Sequence, residues 1–242
     1  VCGDRGTLDN SHTMMKHIGI VGCSAEGAAL CYRTICADGA ALLGPHKHPE
    51  ISMHTPSLSD YVRCLDTGDL NGVGELMLDS ARRLERAGAD FLICPDNTIH
   101  QAFTYVAERS PLPWLHIAEE TASLARKQDF RKVALLGTKW LVESDVYPEK
   151  LEALGIGWLR PEPEEISEIA RIIMDELVPG HFLPDSISYF QMLIGRMKER
   201  GADSVLLGCT EIPLIISDEN STLPTLDSTR TLARAALQKA VG

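Results

Sequence analysis

The sequence lacks any apolar run near the ~18 residues of a membrane-spanning helix, so no membrane partner is expected. It opens without the charged-then-apolar pattern of a secretory leader, and a cytoplasmic protein is expected. None of its seven cysteines forms a Cys-x-x-Cys pair, which removes support for a zinc ribbon or a thioredoxin-type site. The odd number fits reduced thiols better than a disulfide framework. GxGxxG, P-loop, GxSxG and HExxH patterns are all missing, so nucleotide and serine-hydrolase chemistry has no local signature. Cations are scarce: Lys+Arg total 23 against 34 Asp+Glu, a net charge of −11. Such a chain is ill suited to phosphate backbones, and no nucleic-acid partner is expected. His46, His48 and His54 offer a His-x-His pair without a third ligand at a convincing spacing, so no metal is expected.

What is present is an ordinary globular composition, 44% hydrophobic and 24% charged, over 242 residues. Disorder does not fit that hydrophobicity, and the length suits one large domain or two small ones. Residues 1–14 are polar and patternless before Met15 and read as a vector-derived tag. From there, short apolar runs alternate with helical periodicity. Strands are expected at His17–Gly22, Glu50–Leu58 (running into a loop), Phe91–Cys94, Leu112–Ile117, Lys132–Gly137, Gly155–Pro161 and Ser204–Gly208. Helices are expected at Glu26–Ala37, Leu70–Ala87, Ile99–Glu108, Ala118–Lys127, Val142–Ala153, Glu164–Leu177, Ile187–Arg200 and Ser228–Val241, with a short helix or turn at Pro213–Ser217. The alternation predicts an α/β fold with parallel sheets.

The series restarts part-way along the chain. HIGIVG laid over KVALLG places Gly22 on Gly137. ERAGADFLICPDNT laid over KERGADSVLLGCTE matches Gly88–Asp90 with Gly201–Asp203 and places Asp96 on Cys209. Two matched blocks predict duplicated halves. Ligands of open parallel sheets bind beyond the carboxyl ends of the strands. Asp96 and Cys209 each follow a buried strand, so halves facing each other would bring them to one cleft. Two acid/base groups on opposite faces of a substrate suit removal and return of a proton at one carbon.

These residues resemble the aspartate/glutamate racemase family. GADSVLLGCTEIPLI, Gly201–Ile215, is similar to the family's second catalytic-cysteine motif. GADFLICPDNTIH, Gly88–His100, resembles the first, matching at Asn97, Thr98 and His100. LLGTKWLVESDVYPEKLEALGI, LDSTRTLARAAL and the opening GIVGCSAEGAALCYRTI extend the resemblance over nearly all of the chain from Met15. It implies two pseudo-symmetric domains, each a short parallel sheet flanked by helices: residues 15–117, joined by the C-terminal helix 228–242, and residues 118–227. It also implies a homodimer, a small amino acid or dicarboxylate as substrate, and catalysis without pyridoxal phosphate or any other cofactor. Two thiols flank Cα in that pattern, and Asn and Thr near each motif hold the substrate.

This sequence departs where the first cysteine stands, which here is Asp96; Cys94 lies two residues earlier, inside the strand. The ordinary pKa is about 3.9 for Asp and about 8.5 for Cys, so an unperturbed Asp96 is a weak base and rarely protonated at neutral pH. Burial or a nearby negative charge would make it usable. Cys209 and Asp96 are therefore the expected catalytic pair. Backbone N–H groups at a helix start are expected to lower the thiol pKa of Cys209. Asn97, Thr98, Thr138, Thr210 and Glu211 are the expected substrate-binding residues. His100 is a further candidate, with an orienting role the plainer reading. Ser57 is another, at the end of a segment, Met53–Ser57, placed near the pocket, and Glu26 could add a negative charge there. Lys139 and Arg33 are cations whose spacing does not select a second substrate carboxylate. The expectation is a cofactor-independent amino-acid racemase of the aspartate/glutamate type. The alternatives are a single-thiol decarboxylase or isomerase working through an enolate-like intermediate, and a ligand-binding descendant without catalysis.

Overall fold

The computed structural model describes residues 15–242; the tag reading of residues 1–14 lies outside them. Two four-stranded parallel sheets form. The first holds β1 (Ile18–Val21), β2 (Ile51–His54), β3 (Phe91–Ile93) and β4 (Trp114–Leu115), in the order β2-β1-β3-β4. The second holds β5 (Lys132–Leu136), β6 (Gly157–Leu159), β7 (Ser204–Leu207) and β8 (Thr225–Asp227), in the order β6-β5-β7-β8. The second order repeats the first, as duplicated halves require. β1, β3 and β7 are buried throughout, whereas the edge strands β2 and β6 are partly exposed. That is why the central strands read as unbroken apolar runs.

The Gly-Ala-Asp repeat does the same work twice. Gly88 and Gly201 adopt φ of 90° and 93°, a left-handed bend after a helix that a side chain would strain. Two residues on, the Asp90 carboxylate accepts from the N–H of His17 at 2.7 Å. The Asp203 carboxylate accepts from the N–H groups of Arg131 and Lys132 at 2.7 and 3.0 Å. Each triplet therefore ends a helix and ties the next strand to the start of its neighbour.

Helices cover both faces. On the first sheet, α1 (Ala25–Leu43) and α10 (Ser228–Val241) pack over Ile18, Ile20, Phe91 and Ile93. α3 (Leu70–Arg86) and α4 (Phe103–Ala107) cover Val21 and Leu92 on the other face. The alternation along β1 and β3 follows the two-residue period of a strand. α5 (Ile117–Lys127) and α7 (Pro148–Glu152) cover Val133, Leu135 and Leu206 of the second sheet. α8 (Pro163–Ile172) and α9 (Pro184–Glu199) cover Ala134, Leu136, Val205 and Leu207.

Several expected boundaries are corrected. Only Ile51–His54 of Glu50–Leu58 is strand, and Leu58–Asp66 is a helix, α2. Leu58, Tyr61, Val62 and Leu65 stand at i, i+3, i+4 and i+7, the spacing that makes one helical face. Val142–Ala153 is not one helix: α6 is Lys139–Val142, and α7 starts afresh at Pro148, which lacks an N–H and suits the first helical turn. Ile99–Glu108 divides into a 3₁₀ turn, Thr98–Ala102, and α4. The helix expected to end at Leu177 changes at Ile173 into a π turn, Ile173–Leu177. α1 runs on to Leu43, past Gly39, whose bare Cα lets His48 approach.

Candidate active site

The cleft-facing groups sit where the central strands end. Cys23 and Ser24 follow β1, Asp96 follows β3, Thr138 follows β5, and Cys209 and Thr210 follow β7. Several are also caps of the element that comes next. The Ser24 hydroxyl accepts from the N–H of Gly27 at 3.2 Å, and that of Thr138 accepts from the N–H of Leu141 at 3.2 Å. Asp96 Oδ1 accepts from the N–H of Thr98 at 3.0 Å and of Ile99 at 3.4 Å. Capping and cleft lining are one placement, because a strand that ends in a turn presents its cap residue at the sheet's carboxyl edge.

Together these residues line one cavity, with about 590 Å³ of empty space, mouth included. Cys209, Asp96, Asn97, Thr98, Thr138, Thr210 and Glu211 all line it. Two hydroxyl pairs cross between the halves: Thr98 with Thr138 at 2.9 Å, and Ser24 with Thr210 at 3.4 Å. Asn97 is held more firmly. Its amide donates to Ser228 at 3.0 Å, and its carbonyl oxygen accepts from Tyr147 at 2.6 Å. It is 2% exposed; the Ser228 bond fixes it within its own half, and the Tyr147 bond ties it to the other. Tyr147→Phe should leave that carbonyl oxygen buried and unpaired. We expect a loss of about 1–3 kcal/mol, read as a lower Tm in thermal denaturation.

Electrostatics separates the two catalytic candidates. Burial, and then the charge of Glu211, pushes Asp96 up to about 6, against the N–H bonds from Ile99 and Thr98 and the neighbouring Cys23 thiol. Surrounded by protein yet partly open to the cavity, Asp96 stays within reach of water there. The expectation of a lowered Cys209 thiol is overturned. Cys209 is 8% exposed, and its S–H donates to Glu211 Oε2 at 2.9 Å. Burial, and then the Glu211 carboxylate, holds this thiol well above the ordinary thiol range. The helical turn after it, Ile212–Leu214, has only three residues and supplies too weak a dipole to compete. Thr210 also donates to Glu211 Oε2, at 2.7 Å.

Other expected residues lie elsewhere. His100 is outside the cavity wall, and its Nδ1 donates to the Asp96 carbonyl oxygen at 2.7 Å, bracing that loop. Burial, with His116 beside it, keeps its ring neutral by driving its pKa well down. Ser57 is exposed, bonded to the Ser59 hydroxyl at 2.8 Å, and is not part of the lining; nor is any other residue of Met53–Ser57. Glu26 is exposed and outside the lining as well. His54 pairs with Ser80 at 2.9 Å and His48 with the Pro49 carbonyl at 2.8 Å. The sequence reading missed Cys23, Ser24, Trp140 and the α2 face. The Gly22–Gly137 match, which sets Cys23 on Thr138, carries the signal for the first two. The helical spacing in Leu58–Leu65 carries it for the α2 face, and nothing local marks Trp140.

Residues 18–236 match the family described as Asp/Glu/Hydantoin racemase. The chain belongs to that family. With it goes the enzyme class, an isomerase of racemase type. The chain is 25% identical over 186 residues to the broad-specificity amino-acid racemase RacX of Bacillus subtilis (strain 168), covering 77% of this chain and 78% of that protein. It is 28% identical over 159 residues to a glutamate racemase of Thermus thermophilus, covering 62% of this chain but only 55% of that protein. A crystal structure of a candidate Asp/Glu racemase from Yersinia pestis superposes with a TM-score of 0.86 at 29% identity, over 94% of this chain and 100% of that one. Among the described residues no helix is long and apolar enough to cross a membrane.

Proposed function

We propose that this chain is an amino-acid racemase that works without a cofactor and moves the Cα proton between Asp96 and Cys209 on opposite faces of the substrate. One observation carries this reading: the two groups line the same cavity from equivalent strand ends of the two halves. The hydroxyls of Thr98, Thr138 and Thr210 face this cavity and are neutral groups able to hold the substrate. Asn97 positions the Asp96 loop while contributing its remaining N–H. In this reading residues 15–117 with 228–242, and residues 118–227, act as the two domains of a cytoplasmic homodimer.

The electrostatics assigns the resting protonation. With a pKa of about 6, Asp96 is mostly ionised at neutral pH, while Cys209 keeps its proton. Asp96 is thus the base and Cys209 the acid for one enantiomer. After turnover their roles are exchanged, and the other enantiomer meets a protonated Asp96 and a thiolate. The active enzyme is the form with one proton on the pair. We therefore expect kcat/KM to rise through a pH of about 6, where the doubly protonated form loses its first proton. The profiles of the two enantiomers should coincide, because an equilibrium constant of one makes their kcat/KM values equal. A flat profile from pH 5 to 8 would remove Asp96 from the reaction.

The direct test is Cα-proton exchange in D₂O, followed by NMR together with chiral analysis. Exchange with inversion supports two-face chemistry. Exchange with retention means that one group removes and returns the proton on a single face. Loss of that exchange in Cys209→Ala would assign it to Cys209 and return the single-thiol reading, whereas its survival would assign it to Asp96.

A further inference from the structure

The cavity has two unlike ends. Its inner end carries the strand-end hydroxyls and the Asp96–Cys209 pair. Its outer wall is apolar: Leu58, Val62 and Leu65 come from α2, Trp140 from α6, and Met174 and Val178 from the π turn and the residue after it. The π turn places Met174 and Val178 around the mouth, and such interruptions of a helix recur at functional sites. Three of these side chains stay open to solvent: Leu58 is 36% exposed, Met174 40% and Val178 39%. A cluster of large exposed apolar groups at a cavity mouth marks a surface that a ligand covers.

Charge points the same way. Among the described residues no Lys, Arg or His lines the cavity, and Asp96 and Glu211 are its two carboxyl groups. Lys139 lines an adjoining hollow that shares Thr138, Trp140, Ile173 and Met174 with the cavity; its side chain is more than half exposed and 4.0 Å from Glu143. Arg33 is exposed on α1 and lies in a separate surface hollow with Tyr32 and His48. A second substrate carboxylate would find no cation and would approach two acidic groups in a partly desolvated space.

We infer that the substrate carries a bulky uncharged apolar side chain, seated on the wall formed by α2, Trp140 and the π turn, and that aspartate and glutamate are poor substrates. This rests on the racemase reading above and specifies the side chain that the site takes. One or two apolar groups fitted or missing in a pocket change kcat/KM by about 10–200-fold. The added repulsion of a carboxylate brings the expected preference for phenylalanine, leucine and methionine over aspartate and glutamate to about 10²-fold or more.

The experiment measures Cα-proton exchange in D₂O on both enantiomers of these five amino acids. Binding of each is followed in parallel by saturation-transfer NMR. Wild type, Val62→Lys and Lys139→Ala are compared. The inference expects exchange and binding with the apolar set, a ratio to the acidic set of about 10²-fold, and no change in that ratio in Lys139→Ala. Val62 is half-buried on α2, and a lysine there should narrow the ratio at least about tenfold by supplying a cation. Comparable or better exchange of aspartate or glutamate by wild type overturns the inference while leaving the racemase reading intact. Loss of that acidic activity in Lys139→Ala would then name Lys139 as the receptor. Apolar binding without exchange of any Cα proton keeps the inference and removes the racemase reading. Binding of none of the five, or of the acidic pair alone, overturns the inference.

Discussion

Cys209→Ala is expected to lower kcat for inversion by at least about 10³-fold, within the range that loss of a positioned acid/base group produces. The fold should survive. Alanine removes one of the two donors to Glu211 Oε2, and the Thr210 hydroxyl keeps its 2.7 Å bond. A net hydrogen bond of this kind contributes about 0.5–1.5 kcal/mol, more when the acceptor is charged. A small Tm change with a large kcat change is therefore the expected signature, read by chiral assay and thermal denaturation on the same preparation. A variant that keeps more than a tenth of wild-type kcat would remove Cys209 from the chemistry. Cys209→Ser sharpens the comparison. Its hydroxyl can still donate to Glu211 yet is a far weaker acid, so it should restore stability without restoring rate.

Asp96→Asn is expected to stabilise the protein while abolishing inversion. The folded pKa of Asp96 is raised from 3.8 to about 6, so folding disfavours its ionised form. The cost is absent below about pH 4, where the carboxyl is protonated folded or unfolded. It grows as the pH rises through the window from about 4 to about 6 and is constant above. At neutral pH it amounts to up to about 3 kcal/mol, less whatever solvation the cavity water supplies. Asparagine keeps an oxygen for the N–H groups of Thr98 and Ile99 and removes the repulsion with Glu211. A Tm gain of about 4–8 °C is expected at pH 7.5, shrinking towards zero at pH 4. A gain that is equal at both pH values would assign the effect to packing. No gain at either would mean that Asp96 is not held against its charge. Stability given up at a reacting carboxyl is the usual cost of tuning it.

The sequence carried much of this arrangement for a definite reason. A strand buried on both faces must be apolar over its buried length, so the apolar runs IGIV, FLI, VALL and VLL stand out without any partner being known. The Gly-Ala-Asp triplets were legible because one backbone bend and one carboxylate bond recur in both halves. α2 is hard to see in the sequence although its periodicity is present, because a nine-residue helix beginning beside Pro56, Ser57 and Ser59 looks locally like a loop. The break between α6 and α7 was marked by Pro148 but hidden by the helical composition around it.

By itself the sequence determined the α/β class, the duplication, the family and the strand ends at which Asp96 and Cys209 stand, since each depends on near neighbours along the chain. Only the tertiary structure decided how those groups behave. That the Cys209 thiol is raised rather than lowered follows from burial and a Glu211 carboxylate 2.9 Å away, a distance that rotamers and packing set. That Asn97 serves as a tie depends on Tyr147 and Ser228, far along the chain. That the outer wall is apolar depends on α2, Trp140 and the π turn meeting at one mouth. Proton affinity and pocket polarity are sums over all groups nearby in space, and folding alone chooses which groups those are.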